Sequence, residues 1–146
     1  MRSPKWPDPT ADRGKHTIDY ALDPRAGRWC EASTFRRGAE YNAPLLPAVT
    51  DRHRGDRPAL ASFVKLAPER YVLSSIKKAE DSAAWIVQWY DAKGEEGTAE
   101  LTLPFTPKRA VLTSFLEEDG APVPFEKNVL KVPTRRNAVV TVKVEP

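Results

Sequence analysis

The sequence predicts an all-β chain: an antiparallel β-sandwich of about seven strands, preceded by an extended proline-rich leader with roughly one or two strands and a possible short helix. Three observations carry this. After Leu60 the apolar residues recur with period two. Short strands about 8–12 residues apart have turn signals between them. And proline is the strongest compositional signal, at 14 residues against 7 glycines, fixing the leader's first ten residues as extended or turning chain.

Pro4, Pro7 and Pro9 each lock φ and remove an amide donor, so the first ten residues read as extended or turning chain. Thr17 to Leu22 reads as a strand. Gly27 to Asn42 is the one stretch suited to a short helix, with Gly38 weakening it. From Pro44 to Pro58 the string PLLPAVTDRHRGDRP reads as a linker or long surface loop. Trp85 to Tyr90 is apolar at nearly every position, as in a strand buried on both faces. Ala99, Leu101, Leu103 and Phe105 share one face of a further strand; Ala138, Val140, Val142 and Val144 share one face of the last. Turns are expected at Lys93-Gly94, Asp119-Gly120, Lys127-Asn128 and Arg136-Asn137. A central strand needs every amide, so Pro104, Pro122, Pro124 and Pro133 are expected at strand ends or sheet edges.

These elements divide the chain into residues 1–43, a linker over 44–60, and a terminal sandwich over 61–146. The leader is too poor in strands to close a core. It reads as the end of a larger β-domain whose other strands lie outside this chain, or else as an ordered arm on the sandwich.

Charge narrows the partners. The formal net charge is +3 and the pI about 9.1. Residues 1–60 carry 11 basic and 8 acidic groups, and residues 61–146 carry 12 of each. Asp8, Asp12, Asp19, Asp23, Asp51 and Asp56 interleave with the arginines and cancel most of their field. With no basic block or recognised motif, no nucleic-acid partner is expected. No apolar run reaches the roughly 18–20 residues of a membrane span, so no membrane partner is expected either. The N-terminus MRSPKWPDPT lacks the apolar centre of an export signal, and Cys30 is the lone cysteine; a cytoplasmic location is expected.

Catalytic chemistry is sparse. His16 and His53 stand apart in arginine-rich surroundings, without a second histidine at metal-ligand spacing. Cys30 reads as a small packed hydrophobe. No phosphate loop, nucleophile elbow or zinc-protease motif occurs. The pairs Glu95-Glu96 and Glu117-Glu118 fall at expected turns and read as solvated charges. No catalytic residue is therefore assigned. Trp85 and Trp89 share a strand face and are expected in the core rather than stacked on a sugar. The turn Asp12-Arg13-Gly14, with His16 beside it, has two readings. It is a charged turn with glycine at positive φ, or a loop offering a guanidinium and carbonyls to a polar ligand.

The string P-K-W-P-D-P-T-A-D-R-G-K-H (Pro4 to His16), then Tyr20-Ala21-Leu22, resembles the C-terminal region of glycoside hydrolase family 38 α-mannosidases. Tyr41-Asn42 before Pro44-Leu45, the stretch Leu73 to Asp81 (LSSIKKAED), and Asn128 through the valine-rich end agree with the same family in order. After Leu22 the chain departs from it: Asp23, Pro24 and Arg25 stand where the family commonly has an aromatic, a proline and a histidine. The resemblance implies a non-catalytic C-terminal portion of a retaining α-mannosidase acting on terminal α-D-mannosides. Its zinc and catalytic carboxylates would belong to a barrel outside this chain, which itself would bind no cofactor. That barrel is the implied partner and an α-mannoside the implied substrate. The same resemblance makes Asp12, Arg13 and Gly14 candidate substrate contacts at the rim of the site. The alternatives are a stand-alone carbohydrate-binding or protein-interaction module, and a truncated inactive copy.

Overall fold

The computed structural model describes residues 6, 8, 10 and 13–146 of the chain. Among the described residues one helix, α1 (Thr34–Asn42), precedes nine strands. These are β1 (Lys65–Ala67), β2 (Tyr71–Lys78), β3 (Trp85–Asp91), β4 (Gly97–Thr102), β5 (Arg109–Thr113), β6 (Asp119–Pro122), β7 (Phe125–Glu126), β8 (Val129–Thr134) and β9 (Val139–Glu145). A four-stranded sheet in the order β1-β4-β8-β7 faces a five-stranded sheet in the order β2-β3-β9-β5-β6. Every pairing is antiparallel. The strands beyond the expected number include β1 and β7, pieces of 3 and 2 residues that periodicity is too short to reveal.

Alternation builds the core. Val87 and Trp89 of β3, Ala99 and Leu101 of β4, Leu130 and Val132 of β8, and Val142 and Val144 of β9 are buried in one cluster between the sheets. Trp85 closes the edge of that cluster, its ring edge-on to Phe105 at 5.0 Å. Both β3 tryptophans thus serve packing. Pro133 pairs with Thr98 of β4 on one side, while β7 reaches only Leu130 and Val129 on the other. The amide that Pro133 lacks would therefore have met no strand. Pro122 lies on the edge strand β6, again as a missing donor requires.

Backbone chemistry fixes the turns. Gly94, Lys127 and Asn137 adopt φ of 72°, 53° and 53°, all inside expected turns. Asp119-Gly120 is different, because both residues lie within β6. A β-carbon on Gly120 would stand 3.0 Å from the Leu112 carbonyl oxygen, so this glycine allows close approach of β5 rather than chain reversal. The reversal falls earlier, where Glu117 takes φ 63°.

The leader forms α1 inside the stretch expected for a helix. No strand forms over Thr17 to Leu22, which runs as exposed chain outside both sheets. Its alternation is intact, with Ile18, Tyr20 and Leu22 all exposed, but a strand needs a neighbour for its amides and none of the described residues supplies one. Helix α1 buries no side chain, and an ion pair of 3.6 Å from Arg36 to Glu69 links it to the start of the sandwich.

Candidate functional site

Asp12 lies outside the described residues. Arg13 and Gly14 are exposed, on a turn closed by the Arg13 amide donating to the Thr10 carbonyl at 3.2 Å. The Asp8 carboxylate accepts from both the Thr10 amide and hydroxyl, at 2.8 and 2.7 Å. Gly14 takes φ 132°, a conformation that side-chain-bearing residues rarely adopt, as the positive-φ reading requires. Nothing stands within 4 Å of where its β-carbon would be, so its role is conformational rather than steric. His16 is exposed on the following segment. The turn thus holds a guanidinium out from the chain, a group suited to hydroxyl or carboxylate acceptors.

The second constellation is a charge lattice on the outer face of the five-stranded sheet. Lys77 of β2 pairs with Glu117 at 2.6 Å and Glu80 at 3.2 Å. Lys143 of β9 pairs with Asp81 at 3.3 Å and Asp119 at 3.5 Å. Arg109 of β5 pairs with Asp119 at 2.7 Å and Glu145 at 3.2 Å. The Glu80 amide also donates to the Glu117 carboxylate at 2.9 Å. Glu117, expected as a solvated charge, is instead a clasp with its side chain only 9% exposed; it joins the β5–β6 turn to the β2–β3 hairpin. The Ile76 to Asp81 string (IKKAED), noted for its family resemblance, supplies the other half of that clasp.

Charge states follow from these contacts. Hydrogen bonds from Lys77 and from the Glu80 amide hold the Glu117 carboxyl below its ordinary range. Hydrogen bonding by Lys143 and Ser82 does the same for Asp81, and Arg109 for Asp119. Carboxylates with lowered folded-state pKa add stability that is present above their ordinary range near pH 4 and is lost as the pH falls through the folded values. The melting temperature is therefore expected to stay level from neutral pH to about pH 5 and then fall. Glu117→Gln should lower the neutral-pH value and flatten the acid limb; scanning calorimetry from pH 3 to 7 on both proteins measures this.

A third feature is an open cleft of about 830 Å³ at one end of the sandwich, floored by Leu112 and Val140 and rimmed by Thr98, Thr113, Glu96 and Arg135. No aromatic side chain lines it, so it offers no ring face for a sugar. Among the described residues no three His, Cys, Asp or Glu side chains converge as metal ligands. Glu95, expected as a solvated charge, is paired with Arg70 at 2.9 Å, its side chain 63% exposed.

Sequence reading missed the lattice because its partners are far apart in the chain, 62 residues between Asp81 and Lys143 and 37 between Glu80 and Glu117. The available signal was Lys77 at an outward position of a strand followed by acids in its turn.

Fold and site together define a β-sandwich domain whose described polar clusters brace strands. Residues 70–146 match the family model for the glycosyl hydrolases family 38 C-terminal beta sandwich domain. The chain belongs to that family. It is 32% identical over 120 residues to α-mannosidase 2C1 of Homo sapiens and 30% identical over 122 residues to α-mannosidase G of Dictyostelium discoideum. It is also 29% identical over 134 residues to an α-mannosidase of Saccharomyces cerevisiae. These matches cover 80–81% of this chain but only 11–12% of the relatives' lengths.

Proposed function

We propose that this chain is the non-catalytic C-terminal β-sandwich portion of an α-mannosidase and braces a catalytic barrel carried elsewhere. The observation that carries the reading is the match of residues 70–146 to a C-terminal sandwich domain of that family. The leader supports it: Ile18, Tyr20 and Leu22 alternate like a strand yet stand exposed, as the end of a sheet completed by other polypeptide would. Hydrolysis of terminal α-D-mannosides belongs to the barrel, by the two-carboxylate retaining chemistry, with zinc held there. The assembly works in the cytoplasm, where Cys30 stays reduced, and needs neither nucleic acid nor membrane.

The test is turnover of 4-nitrophenyl α-D-mannoside. The isolated chain is expected to show none above buffer, and turnover is expected when the chain is joined to a family catalytic barrel. Turnover by the purified chain alone contradicts the reading.

Within this assembly the Asp12-Arg13-Gly14 turn lines the rim of the sugar site. Its guanidinium hydrogen-bonds sugar hydroxyls, an interaction of about 1.5–3 kcal/mol. Arg13→Ala in the assembled enzyme is then expected to lower kcat/KM by about tenfold or more, mainly through KM. Steady-state kinetics check this, and unchanged kinetics remove the turn from the site.

A further inference from the structure

We propose that Phe115 and Leu116 form an apolar plug that the sandwich inserts into the rest of an α-mannosidase polypeptide, seated in an apolar depression edged by arginine or lysine. The inference rests on the reading under Proposed function and adds the place and chemistry of the contact.

These two large side chains are adjacent in the β5–β6 turn, 77% and 81% exposed. A slack loop could fold such side chains down onto the sheet. This one is pinned on both sides of them. The Leu116 amide donates to the Ser114 hydroxyl at 3.1 Å, and the Glu117 amide to the Ser114 carbonyl at 3.1 Å. The Thr113 hydroxyl donates to the Glu118 carbonyl at 2.9 Å. Beyond the plug, the Glu117 carboxylate is clasped by Lys77 and the Glu80 amide, with Glu117 held at φ 63°, an unfavourable conformation for a residue bearing a side chain. The clasp therefore sustains local strain while leaving two apolar groups in water. Rigid, protruding apolar anchors bind with little ordering cost, the property of interface hot spots.

Charge selects the occupant. Glu80 and Asp81, paired to Lys77 and Lys143, stand beside the clasp with side chains 84% and 71% exposed; with Glu117 and the exposed Glu118 the acids around the plug outnumber those two lysines. An acidic rim of this kind is repelled by an anionic lipid surface and complements a basic one. The chain spans only 11–12% of the length of its relatives, so a sandwich of this kind has a large polypeptide to adjoin.

The experiment is a chimera of human α-mannosidase 2C1 in which this chain replaces the stretch it aligns with. The substitutions Phe115→Ser and Leu116→Ser are made together, in the chimera and in the isolated chain. The isolated chain should melt within about 2 °C of its parent, because both side chains are already exposed. The chimera carrying both should lose mannosidase activity at least about tenfold faster on heating than its parent, while Val139→Ser, at another exposed apolar position, leaves that rate unchanged. Equal inactivation rates for the double variant and its parent overturn the plug and leave the bracing role standing. A parent chimera without activity overturns the bracing role itself, and the plug with it.

Discussion

Trp89→Ala is expected to destabilise the sandwich by about 3–5 kcal/mol, because the indole is fully enclosed between the sheets. Its neighbours across the ladder are Leu73 of β2 and Val140 of β9, and Val87, Leu101, Leu130 and Val142 belong to the same cluster. Removing the indole leaves a void that strands tied on both sides cannot collapse to fill. For a sandwich of this size the melting temperature should drop by more than about 12 °C. Trp29→Ala, at an exposed site, should cost within about 0.5 kcal/mol. Thermal and urea denaturation of the two variants beside the parent measure the contrast. Similar melting temperatures would mean that Trp89 does not organise the core.

The second large effect belongs to Asp91, a buried carboxylate at the end of β3. It accepts from the Lys93 amide at 3.3 Å and from the Glu95 and Asn137 amides at 3.0 Å each. One side chain thus ties the β3–β4 turn to the β8–β9 turn. Burial alone would push this carboxyl up, but the amide hydrogen bonds, that of Asn137 foremost, outweigh it and hold the pKa below the ordinary value. Asp91→Ala leaves these donors without their acceptor and is expected to cost about 3 kcal/mol. Asp91→Asn should recover little of that, since one oxygen becomes an NH₂ facing backbone N–H groups. Equilibrium unfolding at neutral pH is the check. An asparagine variant as stable as the parent would refute the charged-acceptor role.

How far the fold could be read from the chain depends on where each partner lies. Ala138 to Val144 alternate because β9 sits centrally in its sheet with one face on the core, so periodicity alone places it. Gly94 and Asn137 mark their turns because positive φ is a local demand that residue type answers. Asp119-Gly120 carries the same local signal for a different reason, the close approach of Leu112, which only the packed structure reveals. Thr17 to Leu22 has the pattern of a strand and no strand beside it among the described residues, since pairing is never encoded within one segment. The same holds for function. Arg13 and Gly14 are legible as part of a charged turn with glycine at positive φ, and Gly14 takes φ 132°. Glu117, by contrast, joins elements far apart in sequence, and no short-range pattern distinguishes it from a solvated turn acid.

Bracing a catalytic barrel carried by other polypeptide is the central claim, and the most direct measurement is the coding DNA for about a kilobase upstream of the Met1 codon. A reading frame there, in frame with this chain or adjacent to it, is expected to encode the catalytic barrel of a family 38 α-mannosidase. Upstream sequence with no such frame would contradict the claim, leaving a free-standing β-sandwich with its own ligand.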